Sequence, residues 1–305
     1  MSTQPFLTVY GHVSIDQIIS LREFPQVNTS VDITDKRRYL GGTGGNIATI
    51  AARLGVPTAI CSYVGNDFPS EYRRFMSESG LILDELVETD DYETSTALIV
   101  NNQHNDQITY FYQGPMGHMD PDKSLTGMAE RSEMVHFSTG NPEYYIRVMQ
   151  DLEDKDISIS LDPAQEVHRI WTADTFQRAI NFTDILFSNQ YEMSSMLKYT
   201  GMKDPAELPV DLVVLTKGKQ GAEIWSKGEC SSIPSVPDVS VKDTTGAGDG
   251  FRAGFYAGLH RKYDIRRAAM LGAVTASFII ESVGSLTRTP TWEQVLTRAE
   301  EKFDF

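Results

Sequence analysis

The run Asp243-Thr244-Thr245-Gly246-Ala247-Gly248-Asp249 places two glycines and a carboxylate ahead of an apolar, small-residue stretch, 250–259, that suits a buried helix. Gly246 and Gly248 let backbone amides face a ligand with no Cβ in the way. Thr244 and Thr245 are expected to cap the helix. Free amides at a helix N-terminus form an anion hole for a phosphoryl group in transit. Asp249, in the first turn, can reach the same spot and take a proton from an attacking hydroxyl. Read as structure alone, the run is a helix start whose first-turn carboxylate gains ~0.3–1 kcal/mol from the dipole. It is not a Walker loop, because no lysine follows the second glycine.

Other candidates are spread along the chain. Asp16 lies in an extended stretch, 13–21, where a solvated side chain is the simpler reading. Gly41-Gly42-Thr43-Gly44-Gly45-Asn46 precedes a helix predicted over 46–54. Asn189 and Glu192 follow a short apolar run, and strand-end capping with a helix charge would account for them. Thr216-Lys217-Gly218-Lys219-Gln220-Gly221 closes another such run.

These groups need a scaffold. The runs 134–138, 157–161, 185–188 and 212–216 are short, bounded and apolar, as buried parallel strands are. Helical stretches at 142–152, 172–182 and 191–199 separate them, which predicts βαβ units and a sheet covered on both faces. Residues 6–10 are expected to begin the same sheet. Four extended segments fall outside this rhythm: 13–21, 31–39, 96–100 and 107–112, the last two around the loop 101–106. They predict a small appended β-sheet, serving as a lid or a dimer interface, with strands drawn from about 13–39 and 96–112 of one domain spanning 1–305.

The chain has 305 residues, 40% hydrophobic and 10% aromatic, ordinary for a soluble globular protein. The net charge of −15 argues against nucleic acid as a partner. No stretch approaches 18 apolar residues, so no membrane span is expected. The first residues do not read as a signal peptide. Cys61 and Cys230 lie far apart with no paired spacing, so reduced thiols in a cytoplasm are expected.

Four of these motifs, in order and spanning nearly the whole chain, resemble the signatures of the ribokinase (PfkB-type) carbohydrate kinase family. Asp243–Asp249 resembles its C-terminal signature, and Gly41–Asn46 its N-terminal one. Asn189-Gln190-Tyr191-Glu192 resembles its Asn-x-x-Glu motif, and 216–221 its nucleotide-binding loop. The resemblance implies a ribokinase-like three-layer α/β/α core with a mostly parallel sheet and a small β-sheet lid, which often also makes a dimer contact. It implies ATP and Mg²⁺, with K⁺ as a further candidate ion. Asp249 would be the general base, and Gly246, Ala247 and Gly248 the anion hole. Asp16, Gly42 and Asn46 would hold the acceptor sugar. Asn189, Thr216, Gly218 and Gly221, with Gly246 and Gly248, would line the ATP site, and Glu192 would organise magnesium through water.

Short strings at 10–16, 136–140, 161–166 and 248–254 are most similar to archaeal nucleoside kinases and the adenosine-kinase-like branch. The expected activity is therefore phosphorylation of a nucleoside 5′-hydroxyl. A sugar kinase acting on ribose, fructose or a keto-deoxy acid is the alternative, and an inactive nucleoside- or sugar-binding protein the reading from another class. Tyr110, Phe111, Tyr112, Met116 and Met119 can wall a base pocket, or form the small sheet's own apolar face. Gln113 and Gln165 can read base edges. His12, His118, His136 and His168 show no metal-ligand spacing. Arg252, on the helix just after the base, can approach a phosphate or pair with an acidic neighbour, and Asp162, at a strand end, can support the magnesium or substrate from behind.

Overall fold

Strand alternation explains the layers. In a computed structural model that describes residues 4–104 and 106–305, β1 (Leu7–Tyr10) is buried on both sides. Leu7 and Val9 point into one apolar cluster and Tyr10 into another. The chain then runs through β2 (Ser14–Ser20), β3 (Asp35–Gly41), α1 (Thr43–Arg53), β4 (Thr58–Gly65), α2 (Ser70–Glu78), β5 (Ile82–Thr89), β6 (Thr96–Asn101) and β7 (Gln107–Tyr112). There follow β8 (Met134–Phe137), α3 (Pro142–Leu152), β9 (Ser158–Leu161), α4 (Ala173–Ile180), β10 (Ile185–Asn189), α5 (Gln190–Thr200) and β11 (Leu212–Thr216). The antiparallel pair β12 (Ala222–Ser226) and β13 (Glu229–Ile233) precedes α6 (Ala247–His260), α7 (Ile265–Ile279) and α8 (Trp292–Lys302).

The main sheet has nine strands in the order β13-β12-β11-β10-β9-β8-β1-β4-β5. It is parallel from β11 to β5. One face packs on α1, α6, α7 and α8, the other on α3, α4 and α5, giving the three-layer α/β/α core. Each fully buried Leu, Ile, Val or Phe contributes about 1.5–3 kcal/mol. Strand β4 and edge strand β5 are additions to the sequence reading, which found no strands between 54 and 96. The polar alternation of β5, Ile82-Leu83-Asp84-Glu85-Leu86-Val87, is that of an edge strand half open to water.

The four extended segments outside the rhythm form a separate sheet, β3-β2-β6-β7. Its central pair, β2 with β6, is parallel, and the hairpins β2–β3 and β6–β7 flank it. Asn105, in the 101–106 loop, and residues 1–3 lie outside the described residues. Among the described residues, no helix is long and apolar enough to cross a membrane.

Candidate active site

The candidate groups converge on the carboxyl ends of the main-sheet strands. β1 pairs with β4 on one side and β8 on the other, so the strand order reverses beside β1, where open α/β sheets hold ligands. His12, just beyond β1, and Thr139, just beyond β8, bridge this point with Nδ1 and Oγ1 2.9 Å apart.

The loop Asp243–Gly248 is built differently from the expectation. Thr244 and Thr245 are exposed and do not cap α6; Gly246 is the N-cap, with no side-chain cap bond and a left-handed φ of 78°. The hydroxyls are unneeded because Asp243 fixes the loop, accepting from the amides of Thr245 (2.9 Å) and Gly284 (3.0 Å). A side chain at Gly246 would also overlap Ser285. The Ala247 amide donates to the Thr244 carbonyl at 3.2 Å. Among the described residues the amides of Gly246, Gly248 and Asp249 have no intramolecular acceptor, and the helix dipole adds positive potential there.

Asp249 leaves the first turn of α6 beside these amides. Burial pushes its carboxyl up to about 7; the Asn46 hydrogen bond and Arg252 oppose that rise, while Asp162 and Asp16 add to it. A carboxylate tuned near neutrality can accept a proton from a hydroxyl at physiological pH. Asn46 donates Nδ2–H to Asp249 Oδ2 at 2.8 Å, and Ser285 donates its hydroxyl to Asn46 Oδ1 at 2.9 Å.

The acceptor-side candidates come from the small sheet and the start of α1. Asp16 projects from β2, where burial pushes its carboxyl up to about 6 against the opposing hydrogen bond from Ser14 Oγ at 2.7 Å. Its carboxylate lies directly against the Gly41 backbone, where any side chain would overlap it. Gly42 is the N-cap of α1 with φ 87°, and a Cβ there would press on the His12 carbonyl. The helix therefore starts three residues earlier than the spacing predicts, at Thr43, which puts Asn46 in its first turn, pointing at Asp249.

The nucleotide-side candidates are neighbours through strand register, since Asn189 pairs with Thr216 at the ends of β10 and β11. Asn189 Oδ1 accepts from the amides of Tyr191 (2.8 Å) and Glu192 (3.0 Å), while Glu192 Oε2 accepts from the Asn189 amide (2.8 Å). This capping box holds both side chains and leaves Glu192 Oε1 over. Glu192 is buried, and its carboxyl is raised first by burial and then by Asp162. Gly218 and Gly221 lie beyond β11 with φ of 57° and 86°.

The base-wall candidates divide. Register aligns Tyr39, Asp16, Ala97 and Phe111 in one rung of the small sheet, so Phe111 shares the cleft face with Asp16. Its ring meets His12 edge-on at 5.1 Å and the Arg169 guanidinium at 5.8 Å. Tyr110 and Tyr112 alternate to the opposite, exposed face. Met116 and Met119 are core residues: after Gly114 a short 3₁₀ turn drops Met116 onto β4, where its sulfur accepts from Ser62 Oγ and Tyr63 N at 3.3 Å. Gln165 is exposed. Gln113 is half-buried, donating Nε2–H to Glu166 Oε1 at 2.9 Å, and lines a cavity of about 320 Å³ with Gly117, His118, Asn141 and Ile170.

His136 is a core residue, bonded to Ser160 and Tyr256, and His118 stacks on Tyr92 at 4.4 Å. His168 bonds Ser195. Among the described residues, no three or more His, Cys, Asp or Glu side chains are grouped to hold a metal. Both cysteines are free, Cys61 buried and Cys230 exposed.

Sequence reasoning did not find Ser285, 239 positions from the Asn46 it bonds, because nothing near it in sequence marks a partner. It also missed buried Glu166, which gathers Gln113, the Gly140 amide (2.6 Å) and Arg169 (3.4 Å). Of the two readings of Arg252, pairing with an acidic neighbour is the one seen: it forms a buried ion pair with Asp162.

Known proteins resemble this chain in sequence and fold. The model of the pfkB family of carbohydrate kinases matches residues 4–292. A nucleoside kinase of Methanocaldococcus jannaschii is 34% identical over 298 residues, 96% of each chain. The crystal structure of a nucleoside kinase from that organism, described as an archaeal member of the ribokinase family, superposes with a TM-score of 0.89, covering 98% of this chain and 100% of that one. A Burkholderia thailandensis nucleoside kinase in complex with inosine shares the fold, with a TM-score of 0.86 at 24% identity over 98% of both chains.

Proposed function

This chain belongs to the pfkB family of carbohydrate kinases, ATP-dependent phosphotransferases acting on a sugar or nucleoside hydroxyl, and we propose that it phosphorylates the 5′-hydroxyl of a nucleoside. The observation that carries the reading is the placement of Asp249 beside free helix-start amides and across from Asp16, with its carboxyl raised to about 7. The similarity to nucleoside kinases supports the acceptor. So does the rung from Asp16 to Phe111: two strand spacings of roughly 4.8 Å set a carboxylate for ribose hydroxyls beside an aromatic platform for a base.

In this mechanism Asp16 accepts hydrogen bonds from two ribose hydroxyls, with Gly42 and Asn46 completing the sugar site. The 5′-oxygen attacks the γ-phosphorus in line, its proton passes to Asp249, the new O–P bond forms, and the bond to the β-phosphate oxygen breaks to release ADP. The amides at Gly246, Ala247 and Gly248 form the anion hole for the charge on the transferring group. Of these, Gly246 and Gly248 are free and Ala247 must release Thr244 to take part. Asn189, Thr216, Gly218 and Gly221 line the ATP site.

Magnesium, when bound, neutralises phosphate charge. Glu192 would hold it: its carboxylate has a hard oxygen left over from the capping box, which suits an ion that keeps most of its waters. Potassium is a further candidate ion, tested by comparing rates in potassium and sodium chloride. We place the enzyme in a reducing cytoplasm, where its two free cysteines would stay thiols.

The small sheet is proposed to be a lid over the acceptor and, through its other face, a homodimer contact, within a single domain. That face carries Ile19, Leu98, Val100, Ile108, Tyr110 and Tyr112, with Tyr110 60% exposed. An apolar face of this kind favours a covering partner, and a second copy presents the same one.

The test is a screen of nucleosides against ribose, fructose and keto-deoxy acids with ATP and Mg²⁺. Formation of a nucleoside 5′-monophosphate supports the proposal. Turnover of free sugars alone would transfer the chain to the sugar-kinase reading, and nucleoside binding without any turnover to the inactive one.

A further inference from the structure

Arg252 is a buried cation where a helix does not favour one. It lies near the start of α6, where the dipole is positive and burial penalises its charge. Something must therefore hold it there. Helical side chains lean toward the N-terminus, so its guanidinium reaches back over the turn containing Gly248 and Asp249. A Cβ on Gly248 would lie 2.7 Å from Arg252 Nη1. The end of the Arg252 side chain thus packs directly over Gly248 and would have to shift to admit a side chain there. Below, the guanidinium pairs with Asp162 and lies 5.4 Å from the centre of the Phe187 ring. Its charge is opposed by burial and supported by Asp162 beyond β9, Glu192 on α5 and Asp249 on α6.

We propose that Arg252 is a positioning residue for phosphoryl transfer, fixing the Gly248 amide in the anion hole and supplying a buried positive charge between Asp162, Glu192 and Asp249. Asp162, Glu192 and Asp249 all act on Arg252, and anions gathered around a buried point of low dielectric repel one another strongly. Arg252 offsets that repulsion. Its ion pair with Asp162 ties α6 to the residue after β9. The inference rests on the kinase reading with Asp249 as base, and it does not depend on which acceptor is used.

The experiment compares Arg252→Lys, Arg252→Met, Asp162→Asn and the double variant Arg252→Met/Asp162→Asn with wild type on one acceptor. Arg252→Met is expected to lower kcat by roughly 30-fold or more while KM for the acceptor stays within about threefold, because the charge acts on the transition state. Arg252→Lys keeps the charge without the planar fork and should fall between. Asp162→Asn, which retains Arg252, should lose less than about tenfold. Arg252→Met leaves Asp162 buried without its partner and lowers Tm; the double variant neutralises both and should regain Tm while its kcat stays low. The inference is overturned if Arg252→Met keeps kcat within about threefold, if the double variant regains kcat along with Tm, or if Asp162→Asn is as slow as Arg252→Met. Failure of the acceptor reading lowers wild type and variants together, whereas failure here brings their ratio to one.

Discussion

Asn46 donates its side-chain N–H to Asp249 Oδ2 across 2.8 Å, tying the first turn of α1 to the first turn of α6 over 203 positions of sequence. In the proposed mechanism this bond joins the acceptor side to the phosphoryl side of the site. It favours the ionised form of Asp249, while burial favours the neutral form. A base must be ionised to act, so turnover should fall as pH drops through about 7. In Asn46→Ala the stabilising bond is gone, the Asp249 carboxyl rises further, and the acid limb of kcat should move up by about 0.5–1 pH unit, the equivalent of a ~1 kcal/mol hydrogen bond. Rates measured from pH 5.5 to 9.5 check this. An unmoved limb would show that another group governs it.

Asp16→Ala should raise KM for the acceptor about 10- to 100-fold, the range expected for losing hydrogen bonds to a charged group. The effect on kcat should be smaller. With its carboxyl at about 6, Asp16 is ionised above that pH and protonated below it, so wild-type KM should climb as pH falls beneath 6. Steady-state kinetics at pH 5.5 and 8 decide the point, and an unchanged KM would remove Asp16 from the sugar site.

Much of this site can be read from the chain because the chemistry is carried by short runs. Asp243–Asp249, Gly41–Asn46 and Asn189–Glu192 each combine a backbone conformation with a side chain, and each sits at the end of a core strand or the start of a helix. The small sheet was legible as four segments breaking the βαβ rhythm, although the parallel pairing of β2 with β6 was not. Groups held by long-range contact were silent. Ser285 reaches Asn46, and Asp162 reaches Arg252, only after the sheet has formed. Thr244 and Thr245 misled because cap preference is local, whereas the actual cap follows from Asp243 anchoring Gly284 and from the left-handed Gly246. Met116 and Met119 misled because the turn after Gly114 rotates them into the core.

Glu192→Gln keeps the shape of the capping box but removes the charge. The magnesium concentration for half-maximal activity should rise about tenfold, with fold stability nearly unchanged because an amide oxygen can still accept from the Asn189 amide. Activity titrated with MgCl₂ measures it. An unaltered magnesium requirement would reduce Glu192 to a capping residue.

Tyr110→Arg places a charge on the outward face of the small sheet, away from Asp16 and Phe111. Light scattering at micromolar concentration should show a dimer for wild type and a monomer for the variant, with the free monomer keeping its Tm. A wild type that is monomeric at these concentrations would assign that face to something other than a second copy.

The most direct measurement is the single-turnover rate of Asp249→Asn at pH 8 with saturating ATP, Mg²⁺ and nucleoside. The amide preserves the contact with Asn46 but cannot take a proton, so phosphoryl transfer should slow by about 10²–10⁴-fold, with Kd for nucleoside and ATP within a few-fold of wild type. Transfer at a rate near wild type would contradict Asp249 as the base and, with it, the account of the site.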